Sequence, residues 1–273
     1  MLAAMSTLQC KNSCAHCLAK GCEGDTSRLH NQCIAQLTRL CQIAGVMMAL
    51  TVDSAPVEAN RFEAMRHAMV ASQLRTNAVN DVRVVEAMAR VPREDFLPEE
   101  HRAIAYRDTL LPLAGGRRHN LPLATGRLLT VAEIRPADKV LLIGAAGGYA
   151  AALLADLANS VVAVEEEPSL AALARTALAA YANVELVEGP LAAGHAAEGP
   201  YDLIVVDGAA EELPATLLGQ LETGGRVVTG LLDRGVTRLA AGRRTEGGFG
   251  LADFADIECA VLPGFERLRT FQF

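Results

Sequence analysis

The sequence predicts an α/β protein built on a doubly wound, mostly parallel sheet with an antiparallel edge at its C-terminal end. Three observations carry this. Short apolar runs at 140–143, 161–165, 184–187, 202–206 and 226–230 alternate with helical stretches at 148–158, 168–181 and 214–221. The stretch Val140-Leu-Leu-Ile-Gly-Ala-Ala-Gly-Gly-Tyr149 reads as a buried strand, a tight glycine turn and a helix start. Glu165, seventeen residues after Gly148, closes the next strand. That order marks a nucleotide-type cofactor site at the carboxyl edge of a parallel sheet. A carboxylate at this place can accept two hydrogen bonds from ribose hydroxyls, and glycines let backbone approach a ligand closely.

Composition bounds the rest. The chain has 273 residues, 51% hydrophobic but only 4% aromatic and without Trp, so its core is aliphatic. A net charge of −7 argues against a nucleic-acid partner, which needs a basic face. No apolar run reaches the roughly 18–20 residues that span a bilayer, so no membrane partner is expected. Six of the seven cysteines lie within the first 41 residues. The nearly cysteine-free remainder fits a reduced, cytoplasmic location.

Residues 1–60 show no convincing period and read as a leader, either disordered or upstream of a true start near Met65 or Met69. Cys10, Cys14 and Cys17 have the spacing of a radical iron–sulfur site, but no barrel of strand–helix repeats follows to house one. Cys14, Cys17, Cys22 and Cys33, with His16 or His30, match no zinc pattern cleanly, and no metal is expected. From residue 61 the pattern is regular and forms the second domain, 61–273. Residues 62–78 read as a helix with Phe62, Met65, Met69 and Leu74 on one face. Asp81 caps a second helix that stops near Pro92. Residues 93–122 are turn-rich, 123–134 are helical, and the alternating units follow. Around Gly247-Gly248 the stretch 236–273 reads as antiparallel strands, giving a mixed edge.

The glycine turn departs from the dinucleotide fingerprint, since Ala146 stands where the middle glycine belongs. No Lys-Ser/Thr follows to cradle phosphates. The pattern suits a ligand with an adenosine but no pyrophosphate, and S-adenosyl-L-methionine (SAM) meets that description.

Six segments carry a family resemblance. Arg90-Val-Pro-Arg-Glu-Asp-Phe-Leu-Pro98 is similar to "RVPRE-x-F-x-P", and Ala105-Tyr-Arg-Asp-Thr-Leu-Leu-Pro112 to "AY-x-D-x-x-LP". Val140–Tyr149 is similar to "VLEIGTGSGY", Val164-Glu165 to the end of "SVE", and Tyr201–Val206 to "FDAIIV". Pro214 and Leu221–Val228 follow "P-x-x-LL-x-QLKPGGRLV". In this order, over 65–230, the chain resembles the protein-L-isoaspartate O-methyltransferases. The resemblance implies a Rossmann-like class I SAM-dependent methyltransferase fold, SAM as cofactor, and carboxyl methylation of a damaged protein or peptide. A monomer is favoured.

The departures fall on functional positions. The family loop "QTISQP" aligns without a gap to Arg117-Arg118-His119-Asn120-Leu121-Pro122, so Asn120 stands at the serine that the resemblance associates with catalysis. Leu142 replaces the acid before the turn, "GDG" becomes Gly189-Pro190-Leu191, and the threonine after "IIV" is Asp207. The expected cofactor contacts are Gly144, Ala146, Gly148, Glu165 and Gly189, with Glu165 on the ribose. Asn120 takes the catalytic place, where its amide can orient an oxygen. Arg117, Arg118, His119 and Asp207 are candidate acceptor-side residues. Two guanidiniums can clamp a carboxylate, or can simply face water. His119 can act as a base or pack locally. Three readings stay open: an isoaspartyl methyltransferase, a relative acting on another carboxylate, and a degenerate SAM-binding protein.

Overall fold

The computed structural model describes residues 55–267. The cysteine cluster and the expected leader lie outside the described residues, apart from the end of the latter. Helix α1 (Ala55–Met69) continues through a π turn at Val70–Leu74 and a 3-10 turn at Arg75–Asn77. Helix α2 (Val82–Arg90) begins where the Asp81 side chain accepts the Arg83 amide, as its N-cap position predicts. A single turn, α3 (Glu99–Arg102), and a two-residue ribbon, β1 (Leu111–Pro112) with β2 (Arg118–His119), make up the turn-rich region. Helix α4 (Pro122–Val131) opens on a proline at its first turn, where no amide donor is lost.

The alternating units follow as β3 (Lys139–Ile143), α5 (Tyr149–Leu157), β4 (Ser160–Glu165), α6 (Pro168–Ala177), β5 (Val184–Glu188), β6 (Tyr201–Ala210) and α7 (Ala215–Leu218). Strands β7 (Leu221–Asp233), β8 (Val236–Thr245) and β9 (Gly248–Ala255) complete the sheet. The strand order is β5-β4-β3-β6-β7-β8-β9. The first five run parallel, and β8 and β9 add antiparallel. This is the doubly wound sheet with an antiparallel edge that the sequence predicts.

Strand β3 shows why. Its residues alternate between two cores, Val140 and Leu142 on one face and Leu141 and Ile143 on the other, and all four are buried. A strand covered on both faces needs apolar residues throughout, which is the signature of a parallel sheet. Because β3 sends its chain to β4 on one side and pairs with β6 on the other, the loops after β3 and β6 diverge. Open α/β sheets hold their ligands at such a divergence, outside the strands' carboxyl ends.

Two elements differ from expectation. The helix expected at 214–221 is one turn, because Gly219 ends it and the strand resumes at Leu221. The tail carries antiparallel strands only to Ala255. Beyond it the chain returns to the sheet, and Ala260 and Leu262 flank Ala209, with Ala209 N donating to Ala260 O at 2.7 Å and Leu262 N to Ala209 O at 2.9 Å. An alternating pattern cannot signal this return, because the pairing is a single bridge.

Candidate active site at the carboxyl edge of the sheet

The glycine turn joins β3 to α5. Gly148 has φ +100°, a conformation that favours glycine, and it caps α5. Gly147 has no room for a side chain, since a Cβ there would overlap the Phe96 carbonyl oxygen. Ala146, at φ 48°, occupies left-handed space without being glycine. The Gly144 and Ala145 amides both donate to Val164 O at 3.1 Å, locking the turn to the end of β4.

Glu165 ends β4 with its side chain fully buried. Its Oε2 accepts from the Ala146 amide at 2.6 Å, and its Oε1 accepts from the Glu166 and Glu167 amides at 3.0 Å. Oε1 also accepts from Arg117 Nη1 at 2.5 Å. Gly189, after β5, donates its amide to Glu165 O at 3.0 Å, so the two expected cofactor-side positions adjoin.

The loop after β1 supplies the other side. Arg117 is buried, 5% exposed, and pairs with Glu165. It is not free in solvent. Arg118 is exposed and lines a separate cleft of about 340 Å3 with Leu110, Gly116, Leu232, Thr237 and Val261. Asn120 is buried and held at both ends of its amide. Nδ2 donates to Asp207 Oδ1 at 3.0 Å, while Oδ1 accepts from the Ala260 amide at 3.2 Å. Asp207 also accepts from Thr125 Oγ1 at 2.9 Å. Burial pushes the Asp207 carboxyl above the usual carboxylate range, against the lowering effect of these bonds and of Arg93 and Arg117.

His119 is buried against Tyr149, with ring centroids 6.1 Å apart. Burial, together with the nearby Arg93 and Arg117 charges, holds it well below its ordinary value, so it is neutral. Arg93 Nη2 lies 3.0 Å from His119 Nδ1. Nδ1 also lies 3.1 Å from the Asn120 carbonyl oxygen, so it either accepts from Arg93 with the proton on Nε2 or donates to Asn120 with the proton on Nδ1.

Sequence reasoning missed Arg93, Thr125 and the Ala260–Leu262 segment. Arg93 is fully buried, donating Nε to Ala105 O at 2.8 Å and Nη2 to Asn120 O at 2.6 Å. It has no ion-pair partner among the described residues, and burial lowers its pKa. It lies within the quoted "RVPRE" motif, yet a charged residue reads by default as surface. Four buried polar atoms here lack a partner: Arg93 Nη1, Arg117 Nε, His119 Nε2 and Tyr149 Oη. All can donate. A buried donor left alone costs stability, and an acceptor-rich ligand satisfies it. No group of three His, Cys, Asp or Glu able to hold a metal occurs among the described residues.

A parallel sheet with a glycine turn after its central strand and a buried acid after the next defines an α/β protein of nucleotide-cofactor type. Comparison with known proteins narrows the class. The family model for protein-L-isoaspartate(D-aspartate) O-methyltransferase matches residues 65–249. A protein-L-isoaspartate O-methyltransferase of Koribacter versatilis is 41% identical over 165 residues, 60% of this chain and 74% of that one. One of Methanoculleus marisnigri is 41% identical over 174 residues, 63% of this chain and 79% of that one. A solved protein-L-isoaspartate O-methyltransferase aligns with TM-score 0.64 at 23% identity, covering 73% of this chain and 66% of that one. A Plasmodium falciparum structure described as a complex with S-adenosyl-L-homocysteine aligns with TM-score 0.59 at 19% identity, over 73% and 96%. The chain belongs to the protein-L-isoaspartate (D-aspartate) O-methyltransferase family and is thereby an S-adenosylmethionine-dependent methyltransferase. Among the described residues no helix is long and apolar enough to cross a membrane.

Proposed function

We propose that this protein methylates the side-chain carboxylate of an isoaspartyl residue in a damaged protein or peptide. One observation carries the reading. The glycine turn, Glu165 and the Asn120–Asp207 pair occupy adjoining strand ends at one edge of the sheet, as a cofactor and an acceptor require. The residues suit SAM: a buried carboxylate for ribose, a turn too tight for side chains, and no phosphate-binding lysine. The bound cofactor supplies an electrophilic methyl group on a sulfonium.

The acceptor carboxylate is ionised at neutral pH, so no base is needed. The glycine turn and Glu165 would hold the cofactor, which would supply its methyl group to one of the acceptor's oxygens and keep the bonding pair on sulfur. The protein's part is orientation and exclusion of water. Asn120 presents its remaining Nδ2 hydrogen near the acceptor, and Asp207 fixes that amide's orientation. The unpartnered Nη1 donor of Arg93 favours an anionic acceptor in the same region. The cleft beside Arg118 accommodates the flanking polypeptide. The methyl ester so formed belongs to the repair of isoaspartyl sites.

A second reading, methylation of a different carboxylate, is favoured by Asn120 itself. Both ends of its amide are engaged within the protein, which leaves it less free than a serine hydroxyl. Incubation with methyl-labelled SAM and an isoaspartyl peptide tests the proposal. Base-labile label on the peptide supports it. Cofactor binding without label supports the second reading instead.

A further inference from the structure

The Oε1 atom of Glu165 has no acceptor site to spare. An ionised carboxylate offers about four lone-pair positions. Three protein donors crowd Oε1, Arg117 Nη1 and the amides of Glu166 and Glu167, while the Ala146 amide takes one of the two positions on Oε2. Three of these are backbone amides fixed by the turn and by the start of α6. Only Arg117 is a side chain on a separate loop, and only it can leave without unfolding the sheet edge. Its guanidinium also reaches over the first glycine of the turn, where a Cβ on Gly144 would stand 3.4 Å from Arg117 Nη2. Leu262, from the returning tail, packs over the same glycine, at 3.2 Å from that Cβ position.

We propose that Arg117 is an internal occupant of the cofactor's ribose subsite, and that cofactor and Arg117 compete for Glu165. The proposal rests on the reading of Glu165 as the ribose acid. In the arrangement described, the acid is charge-paired and closed, so binding begins with exchange of the guanidinium off Oε1. The apparent affinity is then reduced by the fraction of molecules in which Arg117 has swung away. The motif that this loop resembles carries glutamine at the place of Arg117. Glutamine is neutral and shorter, and does not form the ion pair. Once displaced, Arg117, three residues before Asn120 across β2, is free to face the acceptor's carboxylate, which would order cofactor before acceptor.

The test is S-adenosylhomocysteine binding to the full chain by titration calorimetry, with wild type, Arg117→Gln, Arg117→Ala and Arg117→Lys. Circular dichroism and melting of each unliganded variant establish folding, and Arg117→Gln serves if Arg117→Ala does not fold. The neutral variants are expected to bind at least about tenfold tighter than wild type, and Arg117→Lys to stay near wild type because it keeps the charge. Equal or weaker binding by both neutral variants overturns the competition. Glu165→Gln in the Arg117→Gln background separates the two claims. If it still binds as tightly as Arg117→Gln alone, Glu165 is not the ribose acid and the competition falls with it. If no variant binds at all, the cofactor reading itself is wrong.

Discussion

Asn120 Nδ2 donates to Asp207 Oδ1 at 3.0 Å, joining the segment after β2 to β6. The same amide's oxygen holds the returning tail at Ala260. One side chain thus ties three segments together at the position where the family motif carries serine. A serine reaches only one of these partners. Asn120→Ser is expected to lower stability by about 1–3 kcal/mol, the cost of leaving buried polar groups unsatisfied. It is also expected to raise methyl transfer to an isoaspartyl peptide. Denaturant unfolding and a methyl-ester assay read the two effects, and unchanged stability would show that the amide is not a staple.

Asp207 gives a pH signature. Its folded pKa is raised by burial, so the folded protein holds a proton that the unfolded chain has already released. The associated stability is full below the unfolded value of about 3.9 and is lost as pH rises through the higher folded value. Asp207→Asn removes this dependence. Its stability relative to wild type should therefore climb with pH across that window and then level off. A difference that stays flat between mildly acidic and neutral pH contradicts the assignment.

The Arg117–Glu165 pair predicts non-additivity. Glu165→Ala leaves a buried guanidinium uncompensated and should cost about 3–5 kcal/mol. Adding Arg117→Ala to it should restore part of that loss, because no buried charge remains. A double-mutant cycle with zero coupling would mean that the pair contributes nothing.

Gly147→Ala tests the turn. The added methyl collides with the Phe96 carbonyl, which is backbone and cannot rotate away. The expected cost is at the upper end of the roughly 1–3 kcal/mol typical of overpacking, with loss of cofactor binding. Melting temperature and calorimetry check both, and an unperturbed variant would refute the close approach.

The parts of this molecule legible in the sequence are those set by local pattern. Strand β3, the turn at 144–148 and the buried acid Glu165 follow from periodicity and glycine placement within one unit. The Asp81 cap follows from residue type at a helix start. What escaped depends on contacts far apart in the chain. Nothing near Arg117 announces that its partner is Glu165, 48 residues later. Arg93 reads as a surface charge, yet it lies at the centre of the loop's hydrogen bonds because the motif around it folds inward. The tail at 256–267 carries no period to betray its return over Gly144 and Gly208. Sequence therefore located the glycine turn and the buried acid from a single βαβ unit, while the cluster around Asn120, assembled from four segments, needed the fold.

The central claim is carboxyl methylation of isoaspartyl residues, and methyl transfer to a matched peptide pair tests it most directly. One peptide carries isoaspartate and the other aspartate at the same position, each incubated with methyl-labelled SAM. The account predicts base-labile methyl ester on the isoaspartyl peptide and little on its partner. Equal labelling of both, or none on either while S-adenosylhomocysteine still binds, would contradict it.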